Sequence, residues 1–296
     1  MKKKRRNNAG AGRTTDFLIT LPGLLLYAFL FMVPVGMGIY YSFTNWNGVS
    51  RSYDLIGLQN YIKLFSDRRF LGSMGFTVKY TVLLITGVVV ISLTSALILN
   101  SSIRFGDFFK SMFFFPAVLS LMTVGLIFKE IYYRALPLLG TLMNIEQLKT
   151  NILANSDLAM YGILFANIWT ASAIPMVLFY AGLKNVPTDL YEAASIDGAT
   201  FLQKFKSITI PYILPTFSMV FILQLKSGLS VFDYIMALTG GGPGGATESI
   251  GVLIYKGAFE ERRFGYAVSE SVVLLIVIAM VSLIQVKLSK SKEVNA

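Results

Sequence analysis

Apolar stretches of roughly 20 residues recur along this chain, at residues 17–41, 80–99, 111–128, 158–183, 212–238 and 264–287. That is the length at which a helix crosses the hydrocarbon core of a bilayer. Lipid offers no partner to a backbone N–H or C=O, so a segment that enters it must satisfy these groups internally, as a helix does. The windows therefore predict an all-α membrane protein with six transmembrane helices. Composition agrees, because 54% hydrophobic and 14% charged residues are too apolar a mixture for a soluble domain of 296 residues. The absence of cysteine and histidine excludes disulfides, thiolate chemistry and histidine acid–base catalysis.

The net charge of +10 raises nucleic acid as a partner. The basic residues gather instead at the N-terminus and near the ends of the windows, which is how membrane topology is written. Residues 1–16 carry Lys2, Lys3, Lys4, Arg5 and Arg6 and read as a cytoplasmic tail, with 289–296 as a second one carrying Lys290 and Lys292. The apolar run after the first tail is longer than the core of a secretory signal, and no small-residue cleavage site follows. Pro22 and Pro34 fit a helix there only near its ends or with local rearrangement. With six crossings, 14 Lys and Arg fall on the side of the termini and 11 on the other, spread over far more residues. This predicts a multi-pass membrane protein with both termini in the cytoplasm.

Between the fourth and fifth windows lies a polar stretch at 191–215, YEAASIDGATFLQKFKSITIPYILP. It reads as two short helices with a hinge. Thr188 is expected to cap the first helix, and Asp189 in its first turn suits the helix dipole. Gly198 permits the left-handed conformation that ends a helix. Phe201, Leu202, Phe205 and Ile208 share one helical face.

The stretch resembles the EAA loop of ABC-importer permeases. Glu192, Ala193, Ala194, Asp197, Gly198, Ala199, Phe205, Ile208, Pro211 and Pro215 match its pattern at ten positions over 24 residues. Two further pieces resemble the same family: the SFTNW exit of the first window at 42–46, and Gly57, Leu58, Asn60 and Tyr61, which match a Gly-Leu-x-Asn-Tyr element. Phe232 and Asp233 before LTGGGPGG at 238–245 resemble the sugar-permease branch. The chain is thus identified as a member of the carbohydrate-uptake permeases. The resemblance implies the type I importer (MetI-like) fold, with a cytoplasmic coupling loop at about 184–211 inside a permease domain at 17–288. It also implies a heterodimer with a second, homologous permease, two cytoplasmic ABC ATPase subunits and an extracellular solute-binding protein. ATP and Mg belong to the ATPases, and no cofactor, metal or nucleic acid to this chain. Glu192, Ala193, Ala194, Asp197, Gly198, Ala199, Phe205 and Pro211 are then the ATPase-coupling residues.

Nothing in the sequence resembles a catalytic site. The Gly-rich run at 238–248 lacks the Lys-Ser or Lys-Thr of a phosphate loop, and reads as an outer turn. Of the ionisable residues inside the windows, Lys226 and Glu270 are singled out, and they either face a path or pair with each other, or else lie at a boundary. Trp169, Gln224, Phe232, Asp233 and Tyr234 join them as candidates for the substrate path, or for interhelical packing. The expected cargo is a mono- or oligosaccharide. The alternatives are a glycerol-phosphate or polyol importer, and an ion-driven secondary transporter.

Overall fold

The computed structural model describes residues 9–101 and 106–293. Lys2, Lys3, Lys4, Arg5, Arg6 and Arg104, and the side chains of Lys290 and Lys292, lie outside the described residues. Among those described the architecture is all helix, with one isolated β-bridge between Thr44 and Leu55.

Helix α1 (Ile19–Tyr41) contains a π-helical turn at Ala28–Met32. This wider turn precedes Pro34, whose missing N–H and ring would disrupt a regular helix, and it is the local rearrangement that the proline demands. None of the apolar window of α1 is buried. After the short helix α2 (Gln59–Leu64), Asp67 accepts from the Arg69 N–H and caps α3 (Arg68–Asn100). This helix starts twelve residues before the window at 80–99, because Arg68, Arg69 and Lys79 mask its first turns from a hydropathy reading. Asn60 is buried and donates to the Ser42 and Thr44 carbonyls at 2.8 and 2.9 Å, and Tyr61 OH meets Ser42 Oγ at 2.7 Å. The two family-like pieces around the first span therefore hold one another.

The third window is not one straight span. Helix α4 (Gly106–Val118) ends in a 3-10 turn at Phe115–Val118, and α5 (Leu121–Leu142) leaves it at 99°. Residues up to 142, expected as loop, are helical. The fourth window is α6 (Ala159–Ala171) and α7 (Ala173–Lys184), bent by 45° at Ser172, with Pro175 in the first turn of α7. After α8 (Thr188–Ile196) comes α9 (Phe201–Leu229), which runs unbroken through the π-helical turn Phe205–Thr209. The expected fifth span at 212–238 breaks after Leu229, and the chain resumes as α10 (Asp233–Leu238). The Gly-rich run is a turn, as expected, with positive φ at Gly240, Gly241, Gly244 and Gly245. It leads to α11 (Ile250–Tyr255) and then to α12 (Phe264–Lys287), which matches the sixth window.

Helix α3 is the central column, packed against α6, α7 and α9. Tyr80, Leu84 and Val88 of α3 meet Ile163 of α6, Val124 of α5 and Ile235 of α10 in the largest buried cluster. Helices in lipid gain little from excluding water, so close backbone approach matters more. At Gly228 of α9, an added Cβ would lie 2.8 Å from the Thr81 hydroxyl and 3.0 Å from its Cα. Gly228→Val should therefore push α9 from α3 and cost about 1–3 kcal/mol, read as a lower unfolding midpoint in detergent. An unchanged midpoint would show that the contact is slack.

Candidate functional site

The three interruptions meet. A cavity of about 460 Å³ is lined by Pro116, Ala117, Leu119 and Leu121 at the α4–α5 break, and by Thr170, Ala171, Ile174 and Pro175 around the α6–α7 bend. Ser227, Ser230, Val231, Phe232, Asp233 and Tyr234 complete it at the α9–α10 break, with Asn167, Leu223, Gln224 and Lys226 from the adjoining turns. Irregular backbone at membrane depth is tolerated where it lines a cavity, and broken helices there bring polar groups to a cargo.

The polar lining is partly satisfied from within. Asn167 Nδ2 donates to Tyr80 OH at 2.8 Å, and the Thr170 and Tyr234 hydroxyls share a hydrogen bond. Gln224 is 6% exposed, and its Oε1 is buried without a hydrogen-bond partner. Of the expected path residues, Gln224, Lys226, Phe232, Asp233 and Tyr234 are thus brought together. Trp169 is not among them. One residue is 100° of helix, so with Asn167 and Thr170 turned inward Trp169 faces a second cavity of about 200 Å³, edge-on to Phe128 at 5.6 Å. Glu270 is also elsewhere, 1% exposed in α12, and no ion pair joins it to Lys226 among the described residues. Asn167, Thr170, Ser227 and Ser230 had escaped the sequence reading. Their signal is a polar residue every three positions within an apolar helix.

The stretch at 184–211 lies at the end of the bundle where α7 closes and α9 begins. Pro187 occupies the N-cap position of α8, and Thr188 is already helical with no bond to a backbone N–H, so it does not cap the helix as expected. Asp189 does sit in the first turn. Gly198 has φ +73°, and Ala199 N–H returns to the Ala194 carbonyl at 2.9 Å, closing the helix. Thr200 and Gln203 then form a reciprocal capping box that starts α9. Tyr191 OH meets Thr209 Oγ1 at 2.8 Å and Lys204 Nζ donates to Ser195 Oγ at 2.7 Å, so α8 and the first turns of α9 are tied into one unit. Glu192, Ala193, Asp197 and Gly198 are exposed, while Ala194, Ala199, Phe205 and Pro211 are half-buried. Ile196 is 88% and Phe201 75% exposed, an apolar pair in a polar loop.

At the opposite end of the bundle, Glu248 is 4% exposed and receives both Arg69 Nε and Nη2, at 2.7 and 2.9 Å. Arg69 Nη1 reaches Glu261 at 2.6 Å, and Lys256 Nζ lies 3.2 Å from Glu248. Tyr266 OH donates to Asp67 at 2.8 Å. The starts of α3 and α12 are thereby clamped to the segment after α10. Burial alone would raise the Glu248 carboxyl, but the Arg69 hydrogen bonds and charge outweigh it, so the group is held below its ordinary range.

The sequence profile described as the inner membrane component of binding-protein-dependent transport systems matches residues 88–293. The chain is 44% identical over 271 residues to the multiple sugar-binding transport system permease protein MsmF of Streptococcus mutans, covering 92% of this chain and 93% of that one. It is 31% identical over 279 residues to a probable starch degradation products transport system permease protein, AmyD, of Thermoanaerobacterium thermosulfurigenes, covering 94% and 95%. Among solved structures, a bacterial alginate ABC transporter in complex with its alginate pentasaccharide-bound periplasmic protein contains a chain of the same fold. The TM-score is 0.80 at 19% identity, over 98% of this chain and 99% of that one.

Proposed function

From the premise that this chain belongs to the inner membrane component family of binding-protein-dependent transport systems, we propose that it forms half of the membrane path of an ATP-driven sugar importer. A second, homologous permease supplies the other half, two cytoplasmic ABC ATPases the energy, and an extracellular solute-binding protein the cargo. Both termini are then cytoplasmic, as the charge distribution along the chain favours.

One observation carries the reading. Helix α9 begins in the exposed loop and ends at the cavity, with Phe201 at one end and Gln224, Lys226 and Ser227 at the other. A helix of 29 residues is about 43 Å long and stiff. A partner that grips the apolar pair Ile196 and Phe201, and moves α8 with it, therefore displaces the cavity wall directly. The cargo assignment rests on the sugar permeases among the relatives and on the amide, hydroxyl and aromatic groups of the cavity.

The chain itself contributes no nucleotide chemistry in this reading. Calorimetry of the isolated chain with Mg-ATP should give no heat of binding. Saturable binding would overturn its place as the non-catalytic subunit.

A further inference from the structure

We propose that Lys226 and Asp233 form a charge filter of two signs on the cavity wall. They hold an uncharged polyhydroxy cargo by its hydroxyls, and they exclude cargo that carries a carboxylate or a phosphate. This deepens the importer reading above and rests on it.

Among the described residues the two are the only charged side chains that line the 460 Å³ cavity, so this lining has no net charge. They sit on separate helices, Lys226 near the end of α9 and Asp233 at the start of α10, with the break at 230–232 between them. Neither makes an ion pair or a side-chain hydrogen bond among the described residues. An isolated charge at membrane depth is costly, and a structural role would have drawn such a pair into contact. Both side chains are exposed, so a cargo that displaces water from them must supply polar atoms in its place.

A neutral sugar supplies them. Its hydroxyl hydrogens can go to the Asp233 carboxylate, and its oxygens can accept from the Lys226 ammonium. An anionic cargo would pair with Lys226, but it would place a second negative charge beside Asp233. Like charges there repel strongly. Asp233 is thus the rejecting element, and Lys226 contributes to affinity alone.

The test uses the complete transporter in cells. Initial uptake rates are measured for radiolabelled maltose and trehalose, with glycerol 3-phosphate and a glucuronate-containing disaccharide as competitors, and the amount of protein in the membrane is quantified. Asp233→Asn should raise KM for the neutral sugar about tenfold, the loss of one charge-assisted hydrogen bond. It should also let the anions compete, while Asp233→Glu restores both properties. Lys226→Met should raise KM by a similar factor and leave the anions excluded. Sugar uptake with KM and anion exclusion unchanged in Asp233→Asn overturns this inference and leaves the importer reading standing. If Asp233→Asn does not reach the membrane, an unchanged KM in Lys226→Met has the same force. A wild-type transporter that takes up no neutral sugar overturns the sugar reading and this inference together.

Discussion

Gly198→Val should abolish sugar uptake while the protein still reaches the membrane and the rest of its fold stays intact. Gly198 sits at φ +73°, where a β-branched residue is strained. Nothing lies within 4 Å of a Cβ added there, so the substitution acts through the backbone of the turn and through no clash. The strain falls at the junction of α8 and α9, which the Ala199–Ala194 and Tyr191–Thr209 hydrogen bonds hold in one orientation. A change of a few degrees in that junction reorients the exposed face of α8 relative to a helix of 29 residues. Uptake should fall by more than tenfold in Gly198→Val, less in Gly198→Ala, and little in Gly198→Asn, because Asn tolerates the left-handed region. Glu192→Lys, which reverses an exposed charge on the same surface, should give a similar loss. Normal uptake by well-expressed Gly198→Val and Glu192→Lys would remove the coupling role from this loop.

Arg69→Met should have the largest effect on stability. It leaves the Glu248 carboxylate, 4% exposed, with Lys256 as its remaining cationic partner. Breaking one side of a buried pair costs about 3–5 kcal/mol when no partner remains. Arg69 is itself 40% exposed and Lys256 stays at 3.2 Å, so a loss of about 2–3 kcal/mol is expected. The pH dependence has a definite sign. Burial raises the Glu248 carboxyl but the Arg69 contacts lower it further, so its net displacement is downward. A lowered carboxyl contributes stability that is complete above its ordinary value of about 4.3 and is lost as pH falls below that. In the wild type the unfolding midpoint should hold steady from pH 8 to pH 5 and drop in more acid solution. In Arg69→Met the Glu248 part of that drop should shrink or vanish, since the main cause of the lowering is gone and the folded and unfolded carboxyls then titrate closer together. A variant with the wild-type midpoint and the same acid edge would show that the clamp contributes nothing.

These two positions also mark how far the chain could be read before its structure. The turn at Gly198 was legible because its chemistry is local: a Gly that ends one helix, followed by the apolar face of Phe201, Leu202, Phe205 and Ile208 on the next. The six windows were legible because lipid imposes a length on any helix that crosses it. The interruptions in them were not, because 119–120, 172 and 230–232 contain neither Gly nor Pro to mark a break, and hydropathy does not sense backbone direction. Missing those breaks meant missing the cavity, and with it the roles of Asn167 and Ser230. That Trp169 lines the second cavity and not the first was illegible for a related reason, since the phase of α6 is set by its neighbours and not by its own sequence. The pairing of Arg69 with Glu248, 179 residues apart, has no sequence signal at all. Thr188 fits the pattern of a capping residue, but Pro187 before it already occupies the N-cap position.

The most direct measurement is sugar accumulation in proteoliposomes that hold this chain with its second permease, the two ATPases and the sugar-loaded binding protein. Accumulation should require Mg-ATP on the side of the ATPases, continue when proton and sodium gradients are collapsed, and stop with Gly198→Val. Accumulation driven by an ion gradient in the absence of ATP and of the ATPases would contradict the account.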